Sequence, residues 1–210
     1  MKYLYEFIGT FFLVFTVGMT LFSSSATLAP LAIGAVLAAL VFAGGYVCSA
    51  HYNPAISLAA FLTCKLSLSD LLRYIIVQVI AAFVASYLVL YLRGFSGTAV
   101  GYDLLSIFIA EFLFTFALCF VALNVAASKS TAGNSYFGLA IGLIVFVGVY
   151  IIGDISGGAL NPAVAIGITV LGVNFWSNLW VYLIASIAGA VLAAAIFNCV
   201  TRWIGKRKVA

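Results

Sequence analysis

The amino-acid sequence predicts an all-α membrane protein in which six transmembrane helices and two shorter re-entrant helices form an inverted three-plus-three repeat. Of its 210 residues, 66% are hydrophobic and only 7% are charged. A soluble domain carries about 25% charged residues, so this chain cannot cover a surface that faces water on all sides. Apolar runs of membrane-spanning length recur along the whole chain, and the second half repeats the order of the first. Together these observations exclude a soluble globular protein.

Six apolar segments are long enough to cross about 30 Å of hydrocarbon as helices, which takes roughly 20 residues. Two further apolar stretches, 53–63 and 161–171, have only about half that length. Each of them lies between two spans, so we expect each to form a re-entrant helix that enters and leaves the membrane on one side. The predicted spans are 3–22, 29–49, 70–92, 103–126, 135–153 and 177–203.

The basic residues lie at the ends of the predicted spans and form no patch, so the net charge of +4 indicates membrane topology and no nucleic-acid partner. Arg93 is the one basic residue that we expect on the outer side of the membrane. The positive-inside rule therefore predicts a multi-pass protein of the cell membrane with both termini in the cytoplasm. We interpret the tail 206–208 as an anchor, with binding of anionic lipid as the alternative. The basic residues expected on the side of the termini are Lys2, Lys65, Arg73, Lys129, Arg202, Lys206, Arg207 and Lys208.

The residues that could bind a metal or carry catalysis are widely dispersed. The chain has 4 cysteines at scattered positions, 1 histidine and 5 acidic residues. No spacing typical of a metal site or a disulfide framework occurs, and no catalytic set can be assembled. We therefore expect no cofactor, no metal and no enzyme activity.

An internal repeat organises the chain. The segment 6–10 returns as 111–115 at an offset of 105 residues, and 53–55 returns as 161–163 at an offset of 108. Each half thus has the order span with Glu, span, half-helix, span. Because three spans per half is an odd number, the second half must be inverted relative to the first. We expect one transmembrane domain, 1–210, with halves of approximately 1–95 and 100–210.

Both re-entrant segments begin with the sequence Asn-Pro-Ala. Asn is a good N-cap, and Pro suits the first helical position. With opposite insertion, the two helix N-termini meet near the membrane centre, where each contributes roughly half a positive charge. The Asn amides can then donate hydrogen bonds to a water or a hydroxyl group, whereas a cation meets a positive barrier. This pattern predicts a passive pore that admits neutral solutes and excludes cations and protons. The two motifs consist of Asn53, Pro54 and Ala55, and of Asn161, Pro162 and Ala163.

These motifs resemble those of the major intrinsic protein (aquaporin) family. The resemblance covers essentially the whole chain and is carried by the segments 6–10, 49–55, 110–112 and 156–163. It implies a homotetramer in the lipid bilayer, with one pore for water or a small neutral solute in each protomer.

The resemblance also implies roles for three polar residues. Glu6 and Glu111 would be buried supports that accept backbone hydrogen bonds from the re-entrant loops. A carboxylate inside a span is costly without partners, which agrees with that role, although a proton relay is an alternative. His51 would brace the first re-entrant loop, with a pH gate as the alternative.

The predicted constriction departs from the family pattern. The resemblance places its four positions at Ile33, Val149, Gly158 and Val164. Most relatives carry Arg where Val164 stands, and water-selective members carry an aromatic residue and a His at the first two positions. A wide apolar ring would favour glycerol, ammonia, amines or dissolved gas, whereas a narrow one can lose its water and resist water flow. The alternatives to a water channel are therefore a broader facilitator with little water flux and, more remotely, a secondary transporter.

Asp154 lies near the outer end of the fifth predicted span, seven residues before Asn161. We interpret it as a solvated carboxylate at the start of a loop. In the alternative, Asp154 faces an outer vestibule and concentrates cations or amines near a pore that lacks its usual Arg.

Overall fold

The computed structural model describes residues 1–23, 26–94 and 97–207, with side chains described only up to residue 205. These residues form eight α-helices and contain no strand. The basic tail 206–208 therefore lies beyond the described side chains. The helices are α1 (Lys2–Leu21), α2 (Ala29–Cys48), α3 (Pro54–Leu62), α4 (Leu68–Arg93), α5 (Leu104–Ala122), α6 (Phe137–Ser156), α7 (Pro162–Val170) and α8 (Leu179–Arg207).

Six of these helices are long and apolar enough to cross a membrane, as the sequence predicts. The two remaining helices, α3 and α7, have 9 residues each, which is about half of a span. Most ends agree with the predicted ends to within a few residues. α5 ends four residues before the predicted end of its span and continues as a π-helical turn over Leu123–Ala127.

Capping residues define several helix ends. Asp103 precedes α5, and its side chain accepts hydrogen bonds from the backbone N–H of Ser106 at 2.9 Å and from the hydroxyl of Ser106 at 2.9 Å. Those donors lower the pKa of Asp103 below its usual value. Gly94 follows α4 with a φ of 71°, a left-handed conformation that glycine adopts without strain.

The two halves contact each other closely where α2 crosses α6. The crossing is lined by Gly34 and Gly142, and the carbonyl oxygen of Gly142 lies 2.7 Å from the position that a Cβ on Gly34 would occupy. Small residues let membrane helices approach in this way, because side-chain packing has to replace the hydrophobic effect inside lipid. On the outside of the bundle, many large apolar side chains are exposed, as a lipid-facing surface requires.

A pair of tyrosines shows the repeat in three dimensions. The hydroxyl of Tyr74 donates a hydrogen bond to the carbonyl oxygen of Cys48 at 2.9 Å, and that of Tyr182 donates to the carbonyl oxygen of Ser156 at 2.6 Å. Cys48 and Ser156 are the last residues of α2 and α6. Each tyrosine therefore satisfies a carbonyl at the end of the helix that precedes a re-entrant segment.

Gly142→Ala should destabilise the protein, because the added methyl group would overlap the carbonyl oxygen of Gly34 and lie 2.7 Å from the Cβ of Ala38. We expect a loss of about 1–3 kcal/mol, measured as a lower melting temperature in detergent. Gly153→Ala is the matched control in the same helix, since no atom lies within 4 Å of its added Cβ. Equal melting temperatures for the two variants would contradict the packing account.

Candidate functional site

The N-termini of α3 and α7 are built in the same way. The Oδ1 of Asn53 accepts a hydrogen bond from the N–H of Ala55 at 2.8 Å, and the Oδ1 of Asn161 accepts one from the N–H of Ala163 at 2.9 Å. A proline is the first residue of each helix. Each asparagine therefore caps its helix through the oxygen and leaves its amide N–H groups free for other partners.

Those amide groups connect the two halves. The Nδ2 of Asn53 donates to the carbonyl oxygen of Leu160 at 3.0 Å, and the Nδ2 of Asn161 donates to the carbonyl oxygen of Tyr52 at 2.9 Å. The exchange brings the two helix N-termini together in the interior of the bundle. Since an amide carries two N–H bonds, each asparagine keeps one that can face the space between them.

Glu6 of α1 holds the loop that leads into α3. Its carboxyl oxygens accept hydrogen bonds from the N–H of His51 at 2.8 Å and from the N–H of Tyr52 at 2.7 Å. The Nε2 of Gln78 donates a third hydrogen bond at 2.8 Å. Glu6 is fully buried, so these donors offset the cost of taking a carboxyl group out of water.

Glu111 of α5 does the same for the loop that leads into α7. It accepts from the N–H of Ala159 at 2.9 Å, from the N–H of Leu160 at 2.7 Å and from the hydroxyl of Ser156 at 2.7 Å. Both carboxyl groups thus contact two consecutive backbone amides just before an Asn-Pro-Ala motif.

These loops contain residues in a left-handed conformation. Tyr52 and Leu160, which directly precede the two motifs, have φ values of 50° and 51°. Such a conformation costs of order 1 kcal/mol or more for a residue with a side chain, and it persists only where the surroundings enforce it. Here the carboxyl groups of Glu6 and Glu111 bind the N–H groups of these same residues. Four more positive φ values occur in the two loops, at Ser49, Ala50, Gly157 and Gly158.

His51 is buried and belongs to a polar cluster. Its Nδ1 lies 3.1 Å from the Oγ of Ser57, and its ring packs edge-on against Tyr74 at 5.3 Å. The Nε2 of Gln78 donates to the same Ser57 oxygen at 3.1 Å. Sequence reasoning missed Gln78 and Ser57; the signal that could have found Gln78 is a lone amide within an apolar span.

The four residues placed at the constriction by the resemblance line one cavity together. Ile33, Val149, Gly158 and Val164 all contact it, next to the two Asn-Pro-Ala motifs. The cavity has about 20 Å³ of space for the centre of a water molecule. One water needs about 10–15 Å³ on this measure, so the cavity has room for about one water molecule. The other described lining residues are His51, Asn53 and Asn161 and a set of apolar residues, and none of the lining side chains is an acid, Lys or Arg.

His51 and Ile56 also line a second, larger cavity of about 260 Å³. Its wall includes Lys65 and residues of the π-helical turn after α5. His51 and Ile56 therefore lie between the narrow cavity and a wider one at the end of the bundle that carries the connection between α3 and α4.

Asp154 lies in the last turn of α6, where it is exposed and does not line the narrow cavity. Burial raises the pKa of Tyr102, and the negative charge of Asp154 raises it further by a smaller amount. Asp154 is thus close to the connection between α4 and α5. Among the described residues, no group of three His, Cys, Asp or Glu side chains could hold a metal ion.

The sequence profile of the major intrinsic protein family matches residues 1–197. The chain belongs to the major intrinsic protein family. Members of this family are passive channels for water or small solutes, so the protein is a multi-pass membrane channel and not an enzyme. The prediction of the family, the fold and the channel class is confirmed.

Individual family members cover nearly the whole chain. The glycerol uptake facilitator protein-like 6 of Lactiplantibacillus plantarum is 36% identical over 92% of this chain and 94% of its own. Aquaporin AqpM of Methanothermobacter thermautotrophicus is 30% identical over 93% of this chain and 95% of its own. The fold matches the X-ray structure of the aquaglyceroporin from Plasmodium falciparum with a TM-score of 0.79 at 24% identity, over 93% of this chain and 94% of the other.

Glu6→Gln should destabilise the first re-entrant loop. A glutamine replaces one acceptor oxygen with an NH₂ group that faces a backbone N–H, which leaves a buried donor without a partner. We expect a loss of about 1–3 kcal/mol and a lower melting temperature in detergent. Asp103→Asn is the control, because its carboxylate is exposed and Asn is an equally good N-cap. Wild-type melting of Glu6→Gln would show that the loop does not depend on this carboxyl group.

Proposed function

We propose that the protein is a passive channel for uncharged solutes of about the size of water, including water and ammonia, and that it excludes cations and protons. The observation that carries this proposal is the narrow cavity where two helix N-termini, two asparagine amides and an apolar ring meet. Each N-terminus contributes roughly half a positive charge in a region of low dielectric constant, which repels a cation.

The volume and lining of the cavity support the choice of solute. Space for about one water leaves little room for the three-carbon chain of glycerol unless the ring of Ile33, Val149, Gly158 and Val164 opens. The ring offers no side-chain hydrogen-bond donor, so a strongly hydrated solute loses more on entry than a weakly hydrated one. Ammonia and dissolved gas lose the least. We therefore place Val164 and its three neighbours at the selectivity filter.

The second candidate is a broader facilitator for glycerol or amines with little water flux. It is favoured by the similarity to the glycerol uptake facilitator protein-like 6, at 36% identity.

Stopped-flow light scattering on proteoliposomes distinguishes the narrow pore from the broader facilitator. For the narrow pore, we expect proteoliposomes to shrink rapidly in a sucrose gradient and to admit ammonia. They should not reswell in glycerol. Rapid reswelling in glycerol would overturn it in favour of the facilitator.

We also propose that residues 1–210 form one channel domain with inverted halves, that both termini are cytoplasmic, and that four protomers assemble with one pore each. The distribution of basic residues along the sequence supports the orientation, because Arg93 is the one basic residue expected at the end opposite to Lys2. Cysteine labelling from outside the cell at either terminus, and the mass of the purified complex, test the orientation and the assembly.

Val164→Arg should close the filter to ammonia. The buried guanidinium would fill the cavity and add a positive charge, and a barrier raised by about 1.4 kcal/mol would lower ammonia flux about tenfold. Val164→Ala is the matched control, which widens the ring and should raise glycerol flux instead. The measurement is ammonia and glycerol entry into proteoliposomes that hold equal amounts of protein. Equal fluxes in both variants and the wild type would remove Val164 from the filter.

Asp154→Asn tests whether this exposed carboxylate acts at the mouth of the pore. If Asp154 concentrates cationic amines at the entrance, its neutralisation should lower methylamine flux and leave glycerol flux unchanged, with a larger effect at low salt. Asp103→Asn, also exposed on the connection before α5, is the control. Unchanged methylamine flux in Asp154→Asn would leave Asp154 as an ordinary solvated carboxylate.

A further inference from the structure

A groove separate from the narrow cavity lies at the end of the bundle where α3, α5 and α8 finish. It has about 340 Å³ of space for the centre of a water molecule. Its walls come from three parts of the chain that are distant in sequence: the connection after α3, the segment after α5 and the last turns of α8. The residues that matter below are Lys65, Lys129, Ser130, Phe197, Thr201 and Ile204.

The groove carries positive charge without a matching negative charge. Lys65 and Lys129 both line it, and no Asp or Glu does. Within the described part of the chain, neither lysine side chain forms an ion pair or a hydrogen bond. The acidic residue nearest in sequence to Lys65, Asp70, is bound to Lys2 at 2.8 Å. Two ammonium groups that share a groove repel each other, and an anion placed between them removes that repulsion.

The polar lining is also suited to an anion. The hydroxyl of Ser130 is exposed and makes no hydrogen bond within the described residues. The carbonyl oxygen of Leu62, at the end of α3, would repel an anion. It already accepts a hydrogen bond from the Nδ2 of Asn198 at 3.0 Å. The groove thus offers hydrogen-bond donors and positive charge to an anion, while the carbonyl oxygen of Leu62 is hydrogen-bonded to Asn198.

The position of the groove points to a lipid. Its wall on α8 contains Phe197 and Ile204, and this helix is apolar as a membrane span up to Gly205. Next to the groove on α8, Val200 and Trp203 are exposed and form an apolar surface that an acyl chain can cover. Basic residues directly beyond the end of a span lie at the level of the lipid headgroups and attract anionic lipids.

We propose that this groove binds the phosphate headgroup of an anionic phospholipid, held between Lys65 and Lys129. Lys65 also lines the wide cavity that His51 borders, so the bound headgroup lies next to that cavity. This site uses none of the residues assigned to the filter and does not depend on which solute the channel conducts.

The test compares lipid retention by the full chain in detergent, measured by native mass spectrometry with phosphatidylglycerol and with phosphatidylcholine. The variant combines Lys65→Gln with Lys129→Gln. The matched control combines Arg73→Gln with Arg202→Gln, which removes two cations from the same end of the bundle but outside the groove. Each cation near an anionic headgroup contributes about a fivefold gain in binding, so the loss of two should make the groove variant retain phosphatidylglycerol roughly 25-fold less well.

We expect the wild type and the control to retain phosphatidylglycerol preferentially and the groove variant to lose this preference. A variant that combines Lys65→Arg with Lys129→Arg should recover it. Equal retention by all variants would overturn the proposal, as would equal loss in the control, which would indicate surface charge alone. If inorganic phosphate raises the melting temperature through the two lysines while the wild type shows no preference for phosphatidylglycerol, the ligand is free phosphate and the lipid assignment is wrong. Melting temperatures of all variants establish that each is folded.

Discussion

Two buried carboxyl groups, each bound to a pair of consecutive backbone amides, fix the position of everything else in the centre of this channel. A re-entrant loop exposes backbone N–H groups where no water is available to bind them, and each unsatisfied group costs several kcal/mol in hydrocarbon. Glu6 and Glu111 supply the missing acceptors from neighbouring spans. The same contacts hold Tyr52 and Leu160 in left-handed conformations that direct the chain into the two short helices. Without these acceptors, the backbone N–H groups of both loops would lack partners in the interior of the bundle.

The architecture could be predicted from the sequence because its signals are strong and local. The span-length apolar segments predicted the six spans. The two Asn-Pro-Ala motifs predicted the half-helices and, with the repeated Glu, the family. The predicted ends were close because caps such as Asp103 lie where the apolar pattern begins. The π-helical turn over Leu123–Ala127 has no such local signal and was not expected.

The contacts of Gln78 were not predicted, because they depend on which residues meet across the bundle. Gln78 reaches both Glu6 and Ser57, which are 72 and 21 residues away in the sequence. A lone amide within an apolar span indicates that Gln78 needs a polar partner, but the local sequence does not say which residues supply it. The sequence also left open whether an apolar constriction is wide or narrow. That property depends on backbone spacing, such as the 3.1 Å between the Cα of Val149 and the position of a Cβ on Gly158.

The reciprocal hydrogen bonds between the two halves have an evolutionary consequence. Asn53 donates to Leu160 in the second half, and Asn161 donates to Tyr52 in the first, so neither half can complete its own motif. A single half would leave a carbonyl and an amide unsatisfied in the membrane interior. A chain the size of one half could therefore satisfy these groups only as a pair of chains inserted in opposite orientations. Fusion of two such chains would fix one copy in each orientation and allow Ile56 and Val164, which directly follow the two motifs, to differ.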